Sequence, residues 1–311
     1  MTTEKLHGLI SIGLMAIMFC ATDSKAADER FSVEASSWDD SQNCCCQTTP
    51  KTLFRWSSDP FSTADADEED TIVTDRPDFT EASSTVGKDR FQVEMGYTFT
   101  HDDTAGVQLN GHSYPETLFR IGMLAEWFEF RIAYNFLNEQ VDDPVNGRTR
   151  FRGSDDLYLG AKFWLTEQSG ILPEMTILPQ MFVPTGSNSF TNDEVLPGVN
   201  WLYSWKLNDV VSLAGSTQFN RARDATGHFY VETAQSVAVG ISLSDRLGAY
   251  AEYFAILPSG AVEAGVGPEH FFNAGFAYLI SNDVQFDIRA GMGLNRNAAD
   301  FFSGAGLSVR Y

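Results

Sequence analysis

From Phe91 onward the chain alternates apolar and polar residues with a period of two. In FQVEMGYTFT, Phe91, Val93, Met95, Tyr97 and Phe99 alternate with Gln92, Glu94, Gly96, Thr98 and Thr100. In WFEFRIAYNF, Phe128, Phe130, Ile132, Tyr134 and Phe136 oppose Glu129, Arg131, Ala133 and Asn135. VQFDIRAGMGLN repeats the pattern, with Val284, Phe286, Ile288, Ala290, Met292 and Leu294 on one face. Successive strand residues point to opposite sides, so each segment has one apolar and one polar face. Weaker repeats place further strands near 115–125, 155–165, 174–183, 197–206, 209–220, 230–244, 247–257, 269–280 and 304–311, making twelve. Gly215, Gly240 and Pro179 fall inside these strands and mark where bulges or shortened pairing are expected.

The connectors sort by parity. The odd-numbered ones, 101–114, 138–154, 184–196, 221–229, 258–268 and 296–303, are long and polar, whereas the even-numbered ones are mostly tight, as at Leu207-Asn208-Asp209 and Ser281-Asn282-Asp283. Long loops on one side and short turns on the other characterise outer-membrane barrels. An even strand count also puts both ends of the barrel on the short-turn side. The last strand, GAGLSVRY, ends on Tyr311 and resembles the C-terminal signal read by the barrel-insertion machinery, an expected partner together with outer-membrane lipid. The expected fold is all-β: a single transmembrane antiparallel β-barrel of about twelve strands, up-and-down, of the outer-membrane type.

Composition agrees. Hydrophobic residues make up 43% of the 311, with 24 Phe, 10 Tyr and 6 Trp, yet the mean hydropathy is −0.18. Aromatic girdles at two membrane interfaces account for such a load. A soluble β-sandwich would also alternate, but it hides its apolar face in a core and does not sort its loops by parity.

The chain's start indicates export. Lys5, an apolar run from Leu9 to Ala21 and the small residues of Ser24-Lys25-Ala26 read as a signal peptide over 1–26 cleaved after Ala26. Lipidation at Cys20 is the alternative, with bulky Phe19 against it. Residues 27–73, ending in the acidic run Asp65 to Asp70, are expected to form a disordered periplasmic leader, because they bury too little to offset chain entropy. Cys44, Cys45 and Cys46 are adjacent, which strains a disulfide between neighbours and lacks the spacing and fourth ligand of a zinc site. They read as an intermolecular link or a variable tail feature. The formal charge of −21 argues against nucleic acid as a partner.

Catalytic chemistry is not indicated. None of His101, His112, His228 and His270 lies in a His-x-Ser arrangement, and neither a phosphate loop nor a metal or cofactor motif occurs, so no cofactor and no enzymatic activity are expected. The inward faces are more informative. Glu94, Arg120, Glu129, Arg131, Lys162, Asp287 and Arg289, with Lys206, Glu252 and Arg310, take inward positions in this register. They either fill the lumen as an ion-paired plug or line a passage and touch solute.

TDRPDFTEA, Thr74 to Ala82, stands outside the alternation. Asp75, Arg76, Asp78 and Glu81 surround Pro77, which fixes its own backbone and extends the residue before it. This segment, 74–90 with its flank, reads either as a local turn with an internal ion pair or as an insert folding into the periplasmic mouth and pairing with Arg131 or Arg289. The motif, followed closely by FQVEMGYTFT, resembles the start of a family of transporters associated with meta-pathway phenol degradation, in which the motif usually ends in Ser where Ala82 stands here. The resemblance implies that 91–311 is an outer-membrane barrel admitting hydrophobic or aromatic compounds. The expected function is passive, selective uptake of small solutes of that kind. A structural or adhesive barrel with a closed lumen and a lipid-acting barrel enzyme are the alternatives.

Overall fold

A computed structural model describes residues 51–54, 71–263 and 265–311. The expected signal peptide, the three cysteines and the acidic run lie outside the described residues. Strands are the only regular elements among those described, in the order β1 (Phe91–Thr104), β2 (Val107–Gly122), β3 (Phe128–Asp143), β4 (Gly147–Ser154), β5 (Leu157–Thr166), β6 (Glu174–Val183) and β7 (Leu196–Lys206). They continue as β8 (Val211–Arg223), β9 (Phe229–Ser244), β10 (Leu247–Ser259), β11 (Glu269–Ser281), β12 (Val284–Gly293) and β13 (Phe301–Arg310).

Apart from β4 and β5, which both pair with β3, each strand pairs antiparallel with its sequence neighbours, and β1 pairs with β13 from Gln92↔Arg310 to His101↔Phe301, which closes the sheet. Phe91 and Tyr311 complete the seam by exchanging backbone hydrogen bonds of 3.1 and 2.7 Å. β4 and β5 lie against successive parts of β3, at Phe136–Asp143 and Phe128–Ala133 respectively, so together they form one stave and the closed barrel has twelve. Asp155 and Asp156 separate these halves.

Two expected loops, 101–114 and 138–154, are instead strand pairs that run on past the apolar region. β1 and β2 join through Ala105-Gly106, both at positive φ (55° and 81°), as a two-residue hairpin turn requires. The outward face of these extensions is polar, and on the inward face the buried Leu109, Leu137 and Val141 are interrupted by Gly111 and Glu139, so alternation marked them only weakly. Gly215 and Gly240 pair without a register shift. At Pro179 the β5–β6 pairing passes from Gly160↔Gln180 to Phe163↔Ile177, as expected where a donor is missing. Lys51–Phe54 correct part of the expected leader, because Leu53 and Phe54 donate to the carbonyls of Trp164 and Leu165 at the end of β5.

The barrel is polar inside and apolar outside. Arg120, Glu94, Glu129 and Lys162 are 0% exposed, whereas Phe276, Ile288 and Trp201 are 48%, 44% and 45% exposed. A sandwich would show the reverse. Only a closed sheet satisfies its backbone in hydrocarbon, and only a hydrocarbon exterior makes this inside-out distribution stable.

A candidate functional site in a self-plugged lumen

The segment preceding β1 enters the barrel from the short-turn end, runs up its interior, turns and comes back. Ile72 donates to Asn282 of the β11–β12 turn. Val73 accepts from Gln92 and Arg120, Thr74 bonds Gln285, and Asp75 donates its amide to Glu94. Phe79 and Thr80 donate their amides to Glu252 at 2.7 Å each, and Thr80 Oγ1 lies 2.6 Å from Ser236 Oγ. On the return, Ser83 bonds Glu174 and Ser204, Val86 donates to Glu129, and Lys88 reaches Glu126 in the β2–β3 turn. The motif expected at the periplasmic mouth therefore reaches well into the lumen. Its backbone lacks a strand partner, and inward side chains take that role.

Charges converge on Asp75. Its carboxylate pairs with Arg131, with Lys162 at 3.1 Å and with Arg120 at 3.5 Å. Arg120 also holds Glu94 at 3.1 Å and Glu129 at 2.9 Å, and Arg131 pairs with Glu81. Lys162 Nζ donates to the carbonyls of Ala82 and Ser84 on the returning limb. Three of the sequence-selected lumen residues, Arg120, Arg131 and Lys162, thus meet at one carboxylate of the motif, and Glu94 and Glu129 join them through Arg120. Arg76 bonds Asp287 at 3.3 Å and Glu116 at 2.9 Å. Arg289 sits apart, donating to Pro77 O and Thr98 Oγ1. Lys206 is exposed at the rim beside Asp209, and Arg310 pairs there with Asp283.

Arg76 occupies a slot that depends on missing side chains. Gly96 and Gly306 face one another across the β1–β13 seam. A Cβ on either would fall 2.2 Å from a guanidinium nitrogen. Glu116 escaped the sequence reading because the β2 ladder shifts between Tyr114 and Thr117, turning its side chain inward. Pro115 inside a strand is the signal that could have located that bulge.

A second feature was also missed. Phe79, at the turn of the inserted segment, stacks on Phe254 of β10, with centroids 4.4 Å apart and planes 2° apart. Phe254 stacks on Phe271 at 4.7 Å, Phe302 closes edge-on at 6.1 Å from Phe271, and Ala298 and Ala299 of the last outer loop pack against them. This is an apolar knot inside a polar lumen, formed where inward positions break the polar rule. Towards the short-turn end, the inward faces of β9, β10 and β11 carry small residues, Ser242, Gly248 and Ala277, which with Leu279 and Gln285 border a cavity of about 520 Å³ beside Thr71 and Ile72. A cavity of about 280 Å³ opens at the outer end between Leu137, Phe151, Phe190 and Arg223.

A family model described as "Putative MetA-pathway of phenol degradation" matches residues 74–311. Among solved structures, an outer-membrane channel from Pseudomonas putida F1 superimposes with a TM-score of 0.55 at 13% identity, over 76% of this chain and 99% of that one. The KdgM porin in complex with disordered oligogalacturonate gives 0.41 at 9% identity, covering 70% and 98%. A Pseudomonas aeruginosa FadL homologue gives 0.34 at 8%, covering 71% and 90%. No curated protein matches the sequence. The first likeness shows that the fold is that of an outer-membrane barrel.

Proposed function

The chain belongs to the family described as the MetA pathway of phenol degradation, and from that premise we propose that it is an outer-membrane channel for passive, selective uptake of small hydrophobic or aromatic compounds. The observation that carries this reading is the aromatic knot. An ion-paired plug by itself needs only charges and hydrogen bonds, yet the turn of the inserted segment meets the wall through two parallel rings, Phe79 and Phe254. Such a contact is weak enough, about 0.5–1.5 kcal/mol beyond area burial, to be exchanged for a solute ring. The route runs from the outer mouth, past this pair, to the cavity along the small-residue wall of β9–β11. Arg131 and Arg289 flank the inserted segment on opposite sides and set the charge a solute meets.

Liposome swelling tests the proposal. Proteoliposomes should swell faster in phenol than in a pentose of similar size, and Phe79→Ala should narrow that difference. Equal rates for the two solutes in the wild type would remove the selectivity, and no swelling in either would favour the closed-lumen structural barrel, the reading that the buried ion network supports. Arg131→Ala and Arg289→Ala should alter ion selectivity in planar bilayers if the two line the route.

A further inference from the structure

Past the apolar belt, β1–β4 continue as a four-stranded sheet whose outward face differs from the rest of this acidic chain. The row nearest the belt aligns His112, Asn138 and Arg152. The next aligns Asn110, Gln140 and Arg150. Acidic groups enter this face only in the outermost row, where Asp142 pairs with Arg148. The chain has 21 basic residues against 42 acidic ones, and three of the basic ones share one face of the short strand β4.

The arginines are held in position. Arg152 Nε donates to Asn138 Oδ1 and Arg150 Nε to Gln140 Oε1, each at 3.0 Å. Those bonds fix the guanidinium planes, while the terminal nitrogens of Arg150 and Arg152 make no hydrogen bond among the described residues. Just below, the aromatic edge of the belt comprises Tyr97, whose hydroxyl lies 2.8 Å from His112 Nδ1, and Tyr114 packed on Phe136 at 5.6 Å. Aromatic edges of this kind sit at headgroup level.

We propose that this face docks the phosphate groups of lipid headgroups in the outer leaflet. The proposal goes beyond solute uptake and rests on the outer-membrane placement. A guanidinium presenting two parallel N–H groups matches phosphate oxygens bidentately. Residues two apart on a strand are about 6.6 Å apart along it, so Arg150 and Arg152 address two phosphates of one headgroup or of two neighbours. Amide and imidazole groups in the same rows supply further polar contacts. The depth, directly above the aromatic edge, favours a membrane-bound phosphate over a dissolved one.

The test uses the full-length barrel in detergent micelles, titrated with lipopolysaccharide, with the same lipid after enzymatic dephosphorylation, and with inorganic phosphate. R150A/R152A should bind lipopolysaccharide on the order of tenfold or more weakly than wild type. The dephosphorylated lipid should bind wild type and variant alike, and inorganic phosphate should compete only at concentrations far above those of the lipid. Assembly is checked by the heat-dependent shift of the barrel on gels; should R150A/R152A not assemble, R150Q and R152Q are measured singly. Unchanged affinity in the assembled variants would overturn the proposal. So would equal binding of the dephosphorylated lipid to the wild type, and binding of inorganic phosphate as tight as that of the lipid would make this a site for dissolved anions instead.

Discussion

At the scale of single residues, the lumen is a set of charges buried because they are paired. Removing one partner from such a network costs about 3–5 kcal/mol, since the other charge stays buried, and Asp75, with three cationic neighbours, holds the most at stake. A titrating group lies in the outer loops. Burial, with the negative charges of Asp156 and Glu139 nearby, pushes the Asp155 carboxyl up to about 7 despite its hydrogen bond from the Asp156 amide. The folded protein therefore keeps a proton that the unfolded chain loses near 3.8. Stability from this group is full at low pH and falls as pH rises through that interval up to about 7. Its neighbour Asp156 accepts hydrogen bonds from the Gly186 and Asn192 amides at 3.0 Å. Those two amides should exchange hydrogen faster at pH 8 than at pH 5 after correction for intrinsic rates, and Asp155→Asn should remove the difference. A variant keeping the wild-type pH dependence would mean that another group is responsible.

At the scale of elements, the inserted segment is a loop with a lumen for its binding partner. The contact of Thr80 with Ser236 joins the top of this loop to β9, at a place where a covalent link tests movement. In a background with Cys44, Cys45 and Cys46 changed to Ser, Thr80→Cys/Ser236→Cys should form a disulfide. Oxidised proteoliposomes should then take up phenol several-fold more slowly than reduced ones, because the tether resists separation of the Phe79 ring from Phe254. Equal uptake in both states would show that solute passes without displacing the segment. Element positions were largely legible: each of the twelve expected strands overlaps an observed one, because a membrane-facing strand must alternate. The outer extensions of β1–β4 were not, because their outward face is polar and the apolar residues of their inward face, Leu109, Leu137 and Val141, are interrupted by Gly111 and Glu139, which leaves little periodic trace.

At the scale of the whole molecule, the barrel is a closed wall around a private hydrogen-bonding partner. Replacing Thr74–Ala82 with a glycine-serine linker of equal length should leave an assembled barrel, judged by its heat-dependent gel shift, with a single-channel conductance well above that of the wild type in planar bilayers. An assembled variant that conducts like the wild type would show that the segment does not limit the pore.

The sequence by itself determined the parts governed by short-range rules. A period of two and an aromatic outer face define strands in lipid, and Pro77 among opposed charges gives TDRPDFTEA a shape of its own. The inward positions of Glu94, Arg120, Glu129, Arg131 and Lys162 followed from parity alone. Only the tertiary structure decided which charges meet. Asp75 lies 56 residues from Arg131 and 87 from Lys162, and Arg76 lies 211 from Asp287; barrel closure and shear set such pairings, and no local pattern encodes them. The glycine slot for Arg76 and the ring of Phe79 against Phe254 have the same origin. Each requires two distant strands and the inserted segment to arrive at one depth, and that depth is a property of the closed sheet.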